Sequence, residues 1–335
     1  MSMDRRSFLS LVAKTGACTA AGVAVAACGL GSAAAAESPA PAFQPSPLRL
    51  AGYDRTWAYT PEEVAEFTNA QHVDDQIGFQ FCFLADEDSV KKMLPPHFGF
   101  VAPFLMGYFV EMRRPGFGAP YMESCLAVLA EYNGVVGLHN LALYLHGPGS
   151  DCGPYLFGHN CPIPKKQADD ITISRVGNQV NARVIRHGVK IWDMDLEFGG
   201  EYNNEEMGLA TLGDGTNIGV PMDSVGWYHP YEVIPNEDGT TTITDLKLAG
   251  LNISTTLSHI EKGKILKFET ASTEDDTFGE IQMLAPFGAS WQITSECIMG
   301  SSDIYADLDP AVSLPSLMRY YDVSLMGGKS TLLSV

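Results

Sequence analysis

Residues Trp192-Asp193-Met194-Asp195-Leu196-Glu197-Phe198 alternate strictly between apolar and acidic side chains. An extended segment with that period buries one face and wets the other. Val180, Ala182 and Val184 alternate in the same way, and His187-Gly188 offers a tight link between the two runs. With the turn at Gly177-Asn178, residues 171–198 read as a three-stranded antiparallel meander. Strands also fit 78–84, 104–113, 124–132, 137–145 and 251–259, and the turn Glu237-Asp238-Gly239 leads into a Thr-rich strand over 240–246. Helix signals are few. Thr60-Pro61-Glu62-Glu63 sets an N-cap, an N1 proline and an N3 glutamate for a helix over 60–69. Residues 86–94 make a second short candidate, stopped by Pro95-Pro96. Many antiparallel strands at short spacing predict a mainly β (α+β) chain: one antiparallel β-barrel or cone with a few peripheral helices and no break after residue 70.

The first residues have a different pattern. Asp4-Arg5-Arg6-Ser7-Phe8-Leu9 resembles a twin-arginine export signal, and no charge follows Lys14 until Glu37. The run between is rich in Ala and Gly and lacks the Leu, Ile or Phe block of a permanent span. Val25-Ala26-Ala27-Cys28 resembles a lipobox, in which Cys28 would be lipidated and tether the chain to a membrane. Ala34-Ala35-Ala36 is the competing site for ordinary cleavage. Residues 1–36 are thus expected to be an export signal, 37–58 a spacer stiffened by Pro39, Pro41, Pro45 and Pro47, and 59–335 the folded domain of an exported protein.

Charge narrows the partners. The chain carries 21 Lys and Arg against 40 Asp and Glu, a net of -19, and removing the leader takes the net to -21. Nucleic acid is excluded as the main partner, because phosphate binding needs a basic surplus. Five cysteines, Cys82, Cys125, Cys152, Cys161 and Cys297, follow the leader. That odd number cannot all pair within one chain, and Cys152 with Cys161 is the pair that could close a short loop. His139, His146, Asp151, Cys152, His159 and Cys161 crowd one stretch, but their spacing matches no short zinc pattern, so no metal is expected. Ser124 lies outside any nucleophile-elbow pattern.

Pro162-Ile163-Pro164-Lys165-Lys166 is the unusual motif. Two alternate prolines force extended backbone, and two lysines then open a strand in an acidic chain. With Gly158 upstream, this stretch resembles the segment before the catalytic strand of the acetoacetate decarboxylase family. Phe109-Val110-Glu111, Tyr121-Met122-Glu123-Ser124 and Tyr132-Asn133-Gly134-Val135 resemble further family segments, as do residues 234–239 and 300–307. The ordered set covers roughly residues 75–325.

The resemblance implies that Lys165 is a Schiff-base lysine, Lys166 its neighbour, and Glu111 and Glu123 the carboxylates that position the lysines and carry protons. It implies no cofactor, a small oxo-acid substrate and a homo-oligomer. An amine that condenses with a β-keto acid makes an iminium, which accepts the electrons released with CO₂. Attack needs the neutral amine, and at a pKa of about 10.4 only roughly one lysine in 2,500 is neutral at pH 7. Lowering that pKa to about 6 costs roughly 6 kcal/mol, through desolvation or a neighbouring cation. Alternation along a strand sends Lys165 and Lys166 to opposite faces, which favours desolvation for Lys165 and a glutamate partner for Lys166. Leu141, Leu143 and Ile163 are expected to line a dry pocket. The family's active-site arginine falls near Gln76, which lacks the charge and the fork of a guanidinium. Two alternatives stay open: a Schiff-base aldolase or dehydratase, and an exported binding protein without turnover. Residues 148–155 and 199–230 read as longer than the family's usual segments.

Overall fold

The computed structural model describes residues 60–62, 71–116, 118–150, 165–320 and 322. The leader, the proline spacer, Cys28, Cys152, Cys161 and Ile163 lie outside them. Contacts divide the chain into Met1–Thr60 and Pro61–Val335, and the elements below belong to the second unit.

In chain order these are β1 (Gln71–Ala85), α1 (Glu87–Met93), β2 (Gly99–Pro115), β3 (Tyr121–Tyr132), β4 (Val135–His146) and β5 (Lys166–Gln167). Then come β6 (Asp170–Val176), β7 (Gln179–Arg186), β8 (Val189–Phe198), α2 (Glu205–Leu212), β9 (Pro221–Tyr228), β10 (Glu232–Pro235) and β11 (Thr241–Thr244). The series ends with β12 (Lys247–Thr270), β13 (Met283–Asp307) and α3 (Pro310–Leu317). The chain is mostly strand with few helices, as its alternating patterns predict. Of the helix expected over 60–69, Pro61 and Glu62 are helical and residues 63–70 are outside the described residues. The second expected helix is α1, where the Asp86 side chain accepts from Ser89 N at 2.9 Å and caps the first turn.

The meander is β6, β7 and β8, paired antiparallel in sequence order. His187 and Gly188 turn the last hairpin with φ of 53° and 72°, the two left-handed positions of a tight two-residue link. The alternation of β8 places Trp192, Met194, Leu196 and Phe198 in a core with Phe79, Phe109 and Tyr144, all at most 1% exposed. Pairing runs β13-β1-β2-β3-β4-β9-β12, and β12 also pairs with β13, so hydrogen bonding passes from β1 through this series back to β1. The pairing is not antiparallel throughout: β4 lies parallel to both β5 and β9. β12 is far longer than the 251–259 expected, because its first half pairs with β9 and its second half with β8 while β13 runs alongside. Register shifts along the β12–β13 ladder let such long strands bend.

One irregularity decides which side chains face the cavity. On β3 and β4 the partners step from Leu126↔Ala142 to Ala127↔Asn140, leaving Leu141 as an extra residue in the ladder. This bulge changes the parity of β4: Leu138 and Asn140 face the cavity before it, and Leu143 after it.

Candidate active site

β5 is two residues long, and it orients both lysines. It adds to β4 with Tyr144 opposite Lys166 and Leu145 opposite Gln167. Backbone alternation then aims Lys165 one way and Lys166 the other. Lys165 is half-buried and lines a cavity of about 230 Å³.

The walls of this cavity come from alternate residues of neighbouring strands. β1 contributes Gln76, Gly78 and Gln80; β2 contributes Tyr108, Val110 and Met112; β3 contributes Tyr121 and Glu123. β1 and β2 approach so closely at Gly78 that a Cβ there would stand 1.9 Å from the Phe109 carbonyl oxygen. Leu143, Trp227, Leu251, Ile253 and Met299 make much of the remaining wall apolar. Lys165 and Glu123 are the charged side chains among the described residues lining the cavity.

Glu123 is 6% exposed and both its oxygens are engaged. Tyr108 Oη donates to Oε1 at 2.5 Å and Tyr121 Oη to Oε2 at 3.1 Å. Burial pushes the Glu123 carboxyl above the usual carboxylate range, against the Tyr108 hydrogen bond, the Lys165 charge and the Tyr121 hydrogen bond, which favour the ionised form. The tyrosine hydroxyls are driven up in turn, first by burial and then by the Glu123 charge. Gln76 donates one amide hydrogen to Val73 O at 2.7 Å and also bonds the Cys297 thiol, so it brings a neutral amide to the cavity wall.

Lys166 occupies the opposite side of β5, in the core. Its side chain is 1% exposed, and Nζ donates to Asp276 Oδ1 at 2.8 Å and to the Asp275 carbonyl oxygen. The same aspartate accepts from Tyr144 Oη at 2.6 Å and from Arg186 Nε at 2.9 Å. Arg186 Nη1 continues to Asp322 Oδ2 at 3.1 Å, and that oxygen also accepts from Gln167 N at 3.1 Å. Burial opposes ionisation of Asp275, but the Arg186 hydrogen bond and charge outweigh it and hold the carboxyl at about 2. The partner of Lys166 is therefore an aspartate in a buried ionic cluster, and not the expected glutamate.

The structure brings Lys165, Glu123, Gln76 and Leu143 to one cavity and sends three other sequence candidates elsewhere. Lys166 is in the core. Glu111 is one residue out of phase: Val110 is the β2 residue opposite Glu123, so Glu111 faces away, half exposed, with Arg113 Nε 3.0 Å from Oε2. Leu141 is the bulged residue of β4 and is fully buried in the main core, so it lines no part of the cavity. Sequence reading did not find Tyr108 or Tyr121. Tyr121 was within reach, because position i−2 on a strand shares the face of Glu123. Tyr108 needs the β2–β3 register, which no local pattern carries. Among the described residues no three His, Cys, Asp or Glu side chains are arranged to hold a metal ion, and Cys82, Cys125 and Cys297 are free thiols.

The family described as acetoacetate decarboxylase matches residues 56–305. A CLA biosynthesis isomerase from Lactiplantibacillus plantarum is 31% identical over 271 residues, spanning 80% of this chain and 95% of the relative. Among solved structures, acetoacetate decarboxylase from Legionella pneumophila superposes with a TM-score of 0.55 at 16% identity, covering 71% of this chain and 88% of that one. The enduracididine biosynthesis enzyme MppR, complexed with the condensation product of pyruvate and imidazole 4-carboxaldehyde, superposes with a TM-score of 0.52 at 14% identity over 72% and 90% of the two chains. At those identities the structural likeness speaks for the fold, while the sequence match over most of the chain speaks for descent. The chain belongs to the acetoacetate decarboxylase family.

Proposed function

We propose that this chain runs lysine-iminium chemistry on a ketone, with Lys165 as the nucleophile and Glu123 as the proton-transfer group, and that the reaction is migration of a double bond next to that ketone. One observation carries the reading: a lysine and a buried carboxylate face the same largely apolar cavity. Lys166 sits on the far side of β5 against Asp276, so its charge is not what activates Lys165.

The steps follow from the groups present. Lys165 attacks the carbonyl carbon of a β,γ-unsaturated ketone and water leaves, giving an iminium. Glu123 removes a proton from the α carbon, and the electron pair passes through the C–C bond to the iminium nitrogen as a dienamine. Returning the proton at the γ carbon moves the double bond into conjugation, and water releases the ketone and the amine. A carboxyl held above its usual range, with two hydroxyls on its oxygens, suits a group that must both take and give a proton.

Two observations favour this over loss of CO₂. Gln76 supplies no positive charge at the wall, and once Lys165 is in the imine no described lining side chain could pair with a substrate carboxylate beside Glu123. The relative that spans most of the chain is named as an isomerase. Decarboxylation of a β-keto acid is the second reading, favoured by the family's name and by the same iminium, which accepts electrons from a C–C bond as readily as from a C–H bond.

The test uses the wild-type protein in D₂O with a β,γ-unsaturated ketone and, separately, with acetoacetate, each with borohydride trapping and mass spectrometry. Expected are a reduced adduct on Lys165, deuterium at the γ carbon and ultraviolet absorbance of the conjugated product. CO₂ from acetoacetate without isomerisation would establish the second reading. An absence of adduct with every carbonyl compound tried would end both.

A further inference from the structure

The cavity at Lys165 has a second cavity beside it. Gln80, Tyr108, Leu138, Asn140, Thr255 and Gln292 line the first, and the same six residues line the second, of about 410 Å³. Two chambers that share six wall residues adjoin across a collar. The collar is polar but uncharged: Gln292 Nε2 lies 3.4 Å from Gln80 Oε1 and 3.1 Å from Ser290 Oγ, and Asn140 Oδ1 accepts from Cys125 Sγ at 3.3 Å. Beyond it the outer chamber has an apolar stretch, between Phe81, Met106 and Leu257 on one side and Leu209 and Leu212 of α2 on the other, and a polar end at Asp214, Asn217, Asp223 and Ser224. α2 is capped by Asn204, whose Oδ1 accepts from Met207 N at 3.1 Å, and belongs to the stretch 199–230 that the sequence marks as extended.

Size and charge together define an occupant. Sites for small ligands run to about 300–1,000 Å³. The inner chamber falls below that range, and the two together lie within it. A four-carbon keto acid would leave the outer chamber to water. The charged side chains lining the outer chamber are the exposed Asp214 and Asp223, and no described lysine or arginine lines it. The Thr216 hydroxyl and amide hold Asp214 below its usual range, so this end stays anionic.

We infer that the two chambers are one site for an elongated ketone: the carbonyl lies at Lys165, the chain passes the amide collar, its apolar body lies under α2, and its far end is neutral or cationic. The position of the carbonyl rests on the lysine-iminium reading above, whereas the seat of the chain does not.

Straight-chain primary amides from butanamide to dodecanamide form no imine and probe the chain alone. In calorimetry on the wild-type protein, the dissociation constant should fall about fourfold per methylene once the chain passes the collar. Leu209→Trp, at a half-exposed position on α2, should remove the gain for long amides and leave butanamide unchanged, and Met222→Trp should do the same from β9. The monoamide of decanedioic acid, whose carboxylate lies at the far end of the chain, should bind about fivefold more weakly than decanamide, through repulsion by Asp214 and Asp223. Affinity independent of length, gains that survive both tryptophan variants, or tighter binding of the carboxylate would overturn the inference. Trapping of butanone on Lys165 is scored separately. Trapping without length dependence rejects the extended site and spares the iminium; length dependence without trapping rejects the ketone as occupant and retains the chain site.

Discussion

Lys165 and Lys166 are joined by one peptide bond, and the sheet gives them different solvents. Lys165 is half-buried at an apolar cavity whose carboxylate, Glu123, is held by tyrosine hydroxyls. Lys166 is sealed in the core, where Asp276, Tyr144 and Arg186 complete an ionic cluster. The carboxylates of the two faces respond oppositely. Burial prevails at Glu123 and raises its pKa, while at Asp275 a guanidinium prevails and the value falls to about 2. A buried carboxyl stays ionised where hydrogen bonds and counter-charge outweigh burial, as at Asp275, and is pushed toward its neutral form where they do not, as at Glu123. One face of β5 therefore belongs to an ionic core, and the other opens on the cavity proposed to carry the chemistry.

The largest effects should separate the faces cleanly. Lys165→Ala should abolish the borohydride adduct and turnover while the denaturation midpoint stays nearly unchanged. An active Lys165→Ala protein would end the assignment of that residue. Lys166→Met should do the reverse, costing about 3 kcal/mol in urea unfolding because Asp276 loses one of its buried partners. The folded fraction should still form the Lys165 adduct. If Lys166→Met is as stable as wild type but unreactive, the core side of β5 serves the chemistry after all.

This division was half visible in the sequence. Alternation along β5 already required the two lysines to diverge, and alternation in β8 already gave its buried face. Strand positions for β1 to β4 and the meander followed from period and turns. What stayed hidden depends on contacts distant in sequence. Asp276 lies 110 residues from Lys166, and nothing near either residue announces the other. Glu111 and Glu123 look equivalent in sequence, and the β2–β3 register alone, with Val110 opposite Glu123, turns Glu111 to the other face. Leu141 and Leu143 share a parity that a single bulge breaks. β13, the longest described strand, went unread because its 25 residues gain their order from pairing with β1 and β12 and not from alternation of their own.

Glu123→Gln sharpens the comparison through stability as well as rate. The rate of proton transfer should fall about a hundredfold or more. Because the folded pKa of Glu123 is raised, the folded state binds more protons than the unfolded chain as pH rises above about 4.5. Wild type therefore loses stability from this group as pH rises through that window, and Glu123→Gln does not. At pH 7 the variant should melt higher than wild type, with the difference shrinking toward pH 4.5. Asp275 has the opposite sign: its stabilisation is present above about 3.8 and is lost as pH falls through about 2, so Asp275→Asn should melt lower at pH 7. Melting curves of both variants between pH 4 and 8 check the two signs. A Glu123→Gln protein less stable than wild type at pH 7 would show that the tyrosine hydrogen bonds outweigh burial.

The smallest effect isolates one of those hydrogen bonds. Tyr121→Phe removes the donor to Glu123 Oε2 and leaves Tyr108 on Oε1. Losing a donor to the ionised form raises the pKa further, so the acidic limb of the pH–rate profile should move to higher pH, with a modest change in the plateau. Tyr108→Phe should move it farther, since its bond is the shorter of the two. If neither substitution moves the limb, the group that titrates in turnover is not Glu123, and the cavity carboxylate belongs with Asp276 among the residues that hold the fold.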